Sequence, residues 1–137
     1  MNTKSMLIWV DGAARGNPGP AAISAVIKDE QGATLARISR CIGKTTNNQA
    51  EYRALIAALE KAVQLGARKV SVYSDSELVV RQITGRYRVK KAELKPLFQK
   101  VTQLQSRLEG FSISHIPRRQ NTEADRLTND ALDAAVD

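Results

Sequence analysis

The chain has 137 residues, 42% apolar and only 4% aromatic, which suits one domain with an aliphatic core. Lysine and arginine number 21 against 14 acids, and the net charge of +7 points to a polyanionic partner, nucleic acid ahead of an anionic membrane surface. One cysteine (Cys41) and one histidine (His115) exclude an intrachain disulfide, a thiolate zinc cage and any multi-histidine centre, and no apolar run approaches the roughly 20 residues that span a bilayer.

Met6–Val10 is a continuous apolar run of β-formers, expected to be a strand buried on both faces. Gly12–Pro20 carries three glycines and two prolines and predicts a turn. Ala21–Ile27 and Ala33–Ile42 read as strands joined by a hairpin turn at Asp29–Gly32. Tyr52, Leu55, Ile56, Leu59 and Val63 then form a helical stripe, with Thr46 or Asn47 able to cap its start and Gly66 its end. Val70–Tyr73 is a short strand, and Ser74-Asp75-Ser76 can cap a helix running to Gly85. A second stripe covers Leu94–Leu108, with Pro96 in its first turn. Phe111–Ile116 is a fifth strand, and Asn121 or Thr122 opens a last helix bearing Ala124, Leu127, Ala131 and Leu132. Hairpin strands followed by αβ units imply an α/β fold, a mixed sheet with helices packed on it. Nothing reads as a linker or repeat, and the start lacks a signal-peptide core, so a cytoplasmic protein is expected.

Four acids fall at element edges. Asp11 ends the first strand, Glu51 lies in the opening turns of the first long helix, Asp75 follows the fourth strand, and Asp125 sits in the first turn of the last helix. Each has an ordinary use. Asp11-Gly12 is a turn pair, Glu51 suits a helix N-terminal dipole, Asp75 can be an N-cap, and Asp125 can close a capping box with Thr122. If the first and fourth strands are parallel neighbours, however, Asp11 and Asp75 stand side by side at their carboxyl ends, where open α/β sheets place their sites. Carboxylates gathered there repel unless a hard divalent cation neutralises them. Mg²⁺ takes oxygen ligands and leaves positions for water and phosphate. Two such ions, about 4 Å apart, clamp a phosphodiester and activate the attacking water.

Four blocks carry a resemblance that covers nearly the whole chain: DGAARGNPGP from Asp11, TNNQAE from Thr46, YSDS from Tyr73 and NTEADRL from Asn121. In this order, at these intervals and on these elements, the chain resembles a type 1 ribonuclease H. The resemblance implies a ribonuclease H-like fold in a single domain over residues 1–137. Its five-stranded mixed sheet would run in the order 3-2-1-4-5, with helices on both faces. It also implies Mg²⁺- or Mn²⁺-dependent hydrolysis of the RNA strand of RNA–DNA hybrids, leaving 3′-hydroxyl and 5′-phosphate ends. The family's four carboxylates fall on Asp11, Glu51, Asp75 and Asp125. Asp11 would bridge two ions, Glu51 and Asp75 would hold one, and Asp125 the other.

The 2′-hydroxyl that marks RNA is displayed in a wide, shallow minor groove. Backbone amides around Gly12–Gly16 and the side chains of Asn17, Asn47 and Asn48 are compact donors and acceptors that suit it. By resemblance, Asn17, Asn48 and the Gly-rich turn contact the RNA, and Thr46 helps hold a DNA phosphate. Three departures stand out. Glu77 occupies a position where many members have glutamine. Only Pro117–Gln120 separates the fifth strand from Asn121, so His115, ten residues before Asp125, is not taken as the family's loop histidine; Arg118, or failing it Arg119, is expected near the scissile phosphate. Residues 81–100 hold seven basic residues against Glu93 alone, and Arg86, Arg88, Lys90 and Lys91 are read as a reduced form of the basic protrusion that some members carry. Tyr87 would stack on a sugar or pack beneath that loop, and Trp9, on the strand face of Asp11, is read as core. The expected protein is a monomer. Double-stranded RNA is a second substrate that a shape-reading site would admit. The rival readings are a binding module of the same fold without catalysis and a resolvase or integrase core, which TNNQAE argues against.

Overall fold

The computed structural model describes residues 4–135. Its elements are β1 (Ser5–Ala14), β2 (Gly19–Asp29), β3 (Thr34–Thr45), α1 (Asn47–Gln64), β4 (Lys69–Ser74), α2 (Glu77–Ile83), α3 (Lys95–Gln105), β5 (Gly110–His115), a 3-10 turn (Arg118–Gln120) and α4 (Thr122–Ala134). The strands form one sheet in the order β3-β2-β1-β4-β5. β1 and β3 flank β2 antiparallel, whereas β1, β4 and β5 run parallel. This is the order the resemblance implied. No helix among the described residues is long and apolar enough to cross a membrane.

The first hairpin departs from expectation. β1 continues through Gly12, Ala13 and Ala14, which pair with Ile23, Ala22 and Ala21. Asp11 therefore lies inside the strand, opposite Ser24, and not at its end. Small side chains on both strands let the ladder persist, and the turn contracts to the residues between Ala14 and Gly19. The Arg15 N–H, donating to Pro20 O at 2.8 Å, closes it. Gly and Pro content suggested a longer turn, but cross-strand pairing decides the boundary.

α1 packs on one face of the sheet. Thr46 is its N-cap, with a hydroxyl that accepts from the Gln49 N–H at 3.3 Å. Tyr52, Leu55 and Leu59 are fully buried, each contributing roughly 1.5–3 kcal/mol by leaving water. Ala50, Ala54, Ala58 and Ala62 are buried with them, and their small size lets the helix lie close to the strands. Ile56 and Val63 are only half-buried, because α1 presents a wide alanine face to the sheet and packs α3 along its side. α3 is shorter than its apolar stripe: Leu108 lies beyond the helix yet still packs on the core.

α4 covers the opposite face, over β1, β2 and β3. Ser24 and Ser39 hydroxyls donate to the Ala124 and Leu127 carbonyls at 2.6 and 2.8 Å. Trp9 shares this face with Asp11 but is half-buried, so the core assignment is corrected. Its ring stacks on Tyr73 with centroids 5.2 Å apart, and the Lys28 ammonium lies 5.3 Å from it. β4, which carries Tyr73, is beyond the reach of α4.

Candidate active site

In the parallel β1–β4 ladder, Val10 stands opposite Ser74. The next residue in each chain is an aspartate, so Asp11 and Asp75 are neighbours at one end of the sheet, as anticipated. Asp11 is buried, with 8% of its surface exposed. Glu51 arrives from α1, and Gly12 explains how. A Cβ at Gly12 would stand 2.3 Å from the Ala50 carbonyl oxygen and 2.7 Å from the Glu51 nitrogen. Only a residue without a side chain lets the second turn of α1 touch β1 beside Asp11.

Two polar side chains tie these elements together. The Ser76 hydroxyl accepts from the Val79 N–H at 3.2 Å, capping α2, and donates to Glu51 Oε1 at 3.0 Å. Asn121 is almost fully buried and donates from Nδ2 to the Val10 carbonyl at 2.8 Å. Its side chain also lies close enough to Asp75 to favour the charged carboxylate. α4 is thereby fixed against β1 next to Asp11, with Asp125 in its first turn.

The ordinary uses proposed for the four acids all fail. Asp11 is in a strand, not a turn. The first turn of α1 contains no acid. Ser76, not Asp75, caps α2. Asp125 closes no capping box, since α4 makes no side-chain cap bond; its carboxylate instead accepts from the Arg118 guanidinium at 3.1 Å.

The site is electrostatically strained. Burial, reinforced by the charges of Asp75 and Asp125, pushes Asp11 up to about 6, against the Thr128 hydroxyl and Arg118. Burial pushes Glu51 up to about 7; the Ser76 hydrogen bond opposes this, and Asp75 and Asp11 add to it. Asp75 is raised by burial, with Asn121 and Arg118 acting the other way. Asp11 and Asp75 thus both act on Glu51, and the charge of Asp125 acts on Asp11 and Asp75. Among the described residues no three ligands form a ready-made metal cage. The donors are all hard oxygens, and buried Asn121 Oδ1 has no partner among the described residues. Such a set fits a divalent cation of the Mg²⁺ type, which keeps water or phosphate in its remaining positions.

The substrate-side candidates divide. Asn17 Oδ1 accepts from the Asn47 N–H at 3.0 Å, and Asn47 Oδ1 accepts from the Ala14 N–H at 3.2 Å. These two lace the first turn to the start of α1. Asn48 makes no side-chain hydrogen bond among the described residues. Arg118 and Arg119 lie exposed in the 3-10 turn. Arg86, Arg88, Lys90 and Lys91 are exposed between α2 and α3. Glu77 is answered within its own helix by Arg81 at 2.8 Å, and Arg81 lies 5.3 Å from the Tyr87 ring. Tyr87 is 47% exposed, so it does not pack beneath the loop. Sequence reasoning treated Ser76 and Asn121 only as caps and missed Thr128. For Thr128 the one available signal was its position a helical turn after Asp125.

A family model described as reverse transcriptase-like matches residues 9–131. The chain is 47% identical over 132 residues to a bifunctional protein of Mycobacterium tuberculosis, covering 96% of this chain and 36% of that one. It is 43% identical over 127 residues to ribonuclease HI of Halobacterium salinarum, covering 93% of this chain and 64% of that one. The chain therefore spans little more than a third of the mycobacterial relative and under two thirds of the halobacterial one. A solved RNase H1, designated LC11, in complex with an RNA/DNA hybrid superposes with a TM-score of 0.91 at 47% identity, covering 96% of this chain and 99% of that one.

Proposed function

The chain belongs to the type 1 ribonuclease H family, and from that premise we propose that it hydrolyses the RNA strand of RNA–DNA hybrids, leaving 3′-hydroxyl and 5′-phosphate ends. The observation that carries the reading is the convergence of Asp11, Glu51, Asp75 and Asp125 on one sheet end, with the first three held above the ordinary carboxylate range. A structural cluster would be expected to relieve that repulsion with its own cations; here, among the described residues, Arg118 is the one cation ion-paired with any of the four.

Two Mg²⁺ ions would be held by Asp11 in common, one with Glu51 and Asp75 and the other with Asp125; Mn²⁺ suits the same oxygens. When bound, they supply Lewis-acid polarisation of the phosphodiester and a lowered pKa for the attacking water. The side chains supply position. Ser76 orients Glu51, and Asn121 orients Asp75 and the β1 backbone. Arg118 keeps a positive charge beside Asp125 and is exposed enough to meet the scissile phosphate. Asn48 and the amides of Gly12–Gly16 face the RNA sugar, while Asn17 and Asn47 hold that turn in place. Thr46, Arg86, Arg88, Lys90, Lys91 and Arg119 meet backbone phosphates. The enzyme acts as a monomer of one domain, in the cytoplasm.

The test is cleavage of a short end-labelled hybrid, with single-stranded RNA, double-stranded RNA and duplex DNA in parallel. The RNA of the hybrid should be cut in Mg²⁺ or Mn²⁺, and EDTA should stop it. Asp75→Asn should bind hybrid in Ca²⁺ but not cut it. Cleavage of DNA duplexes or four-way junctions with hybrids spared would overturn the reading.

A further inference from the structure

We infer that the groove between β3 and α1, lined by Arg40 and Lys61, forms with the neighbouring Arg53 a second phosphate-binding surface, which takes the backbone of nucleic acid lying beyond the cleavage site; this rests on the hybrid-cleaving reading above.

Arg53, Ala57 and Lys61 follow one another at four-residue spacing on α1, so the two cations stand two turns apart on one stripe, about 11–12 Å. Arg40 comes from the facing strand. It pairs with Ile23, whose neighbours on that face pack under α1, and so it shares the helix side of β3 with Ile38 and Ile42. Arg53 leans across to the strand, its Nη1 reaching the Ile42 carbonyl at 3.5 Å. Between the two elements lies a groove of about 510 Å³, lined by Arg40 and Lys61 together with Ala57 and Gln64.

Within this region, Arg37 on the groove wall is answered by Glu123 on the other face of the sheet. Arg15, Arg37, Arg68, Arg81, Lys100 and Arg118 each sit within 4 Å of a carboxylate. Arg40, Arg53 and Lys61 have no such partner among the described residues. Glu60, the acid in the groove wall, is turned to Lys100 at 3.9 Å. Two unanswered cations in the groove, with Arg53 one turn further along α1, concentrate a positive field.

The position of the groove names the ligand. From the groove, α1 leads back past Arg53 to its Thr46–Asn48 start, the edge assigned above to substrate. From Asn48 to Lys61 the helix extends about 20 Å, close to the axial rise of six base pairs. A polyanion running from the site along α1 would therefore meet these cations one after another. A peptide strand adding to the β3 edge fits less well, because the β2–β3 register shifts twice and breaks the regular ladder that such pairing needs.

The experiment measures hybrid binding by fluorescence anisotropy in Ca²⁺ over a salt series. It compares the wild type with the triple variant Arg40→Ala, Arg53→Ala, Lys61→Ala. A hybrid of about 24 base pairs is set against one of about 8, chosen from the span above. On the long hybrid the slope of log Kd against log salt should fall by about 2.7, near 0.9 per lost contact. On the short hybrid, slope and Mg²⁺-dependent cleavage should stay at wild-type values. If the triple variant melts early, Lys61→Glu alone should still lower the long-hybrid slope by about one contact. An unchanged long-hybrid slope would overturn the proposal. A wild type that fails to cut the short hybrid would instead overturn the catalytic reading, and the binding slopes would still judge the groove.

Discussion

Asp11→Asn should make the metal-free protein more stable at neutral pH. Asp11 is buried, and its carboxyl is raised from an ordinary 3.8 to about 6. Below 3.8 the group is protonated in both folded and unfolded chains, so it affects stability little. Between 3.8 and 6 the unfolded chain ionises first, and the wild type loses stability as pH rises. Above 6 the loss is complete and amounts to about 3 kcal/mol. Asparagine keeps the size and an oxygen for the Thr128 hydroxyl, and it cannot ionise. Urea unfolding in EDTA, followed by circular dichroism, should give nearly equal midpoints for variant and wild type at about pH 4. At about pH 8 the variant's midpoint should be higher by about 3 kcal/mol divided by the slope, with the slope itself unchanged. Saturating Mg²⁺ should narrow the gap, since it binds the folded wild type and hardly the variant. A gap that is the same at both pH values, or a less stable variant at the higher one, would refute the reasoning.

Gly12→Ala should push α1 away from β1, because its Cβ would lie 2.3 Å from the Ala50 carbonyl oxygen. Overpacking of this kind costs roughly 1–3 kcal/mol. It moves Glu51 as well, so thermal melts should fall and kcat/KM on a hybrid should drop at least about ten-fold, as expected when a catalytic group shifts by a fraction of an ångström. Glu77→Gln should remove only the helical pair with Arg81, worth about 0.3–0.5 kcal/mol, and leave the Mg²⁺ titration of activity where it is. A displaced titration would show that the charge at position 77 reaches the metals.

Much of this architecture is legible in the sequence because it depends on local pattern. Hairpin signals, helical stripes and the order of elements give the mixed sheet. Parallel pairing of two strands that each lead into an aspartate brings Asp11 and Asp75 together. What sequence does not reveal is set by contacts between distant residues. Gly12 read as a turn glycine, yet it is a strand residue whose missing side chain admits α1. Ser76 and Asn121 read as caps, which is correct only in part, because the Ser76 hydroxyl also bonds to Glu51 and the Asn121 side chain bonds to the Val10 carbonyl across the fold. The Trp9 stack depends on Tyr73 standing opposite it on a stretch of sheet that α4 leaves uncovered. The pairing of Arg118 with Asp125 spans a 3-10 turn, whose form follows from the short connection and not from any periodicity.

Arg118 links the two signs of charge in the molecule. The excess of +7 suggests a surface that follows phosphates, while the proposed chemistry rests on four of the 14 acids. Asp11 is buried and the other three are half-buried beside it, and Arg118 is a cation placed among them. It bonds to Asp125 and lowers the pKa of both Asp11 and Asp75. A guanidinium that stays charged at every accessible pH offsets part of the repulsion without titrating. Arg40, Arg53 and Lys61, by contrast, have no carboxylate within reach among the described residues. Salt should therefore weaken binding through the groove and the loop between α2 and α3, whereas chelation should act through the acids. Arg118 is the residue at which both responses should be felt.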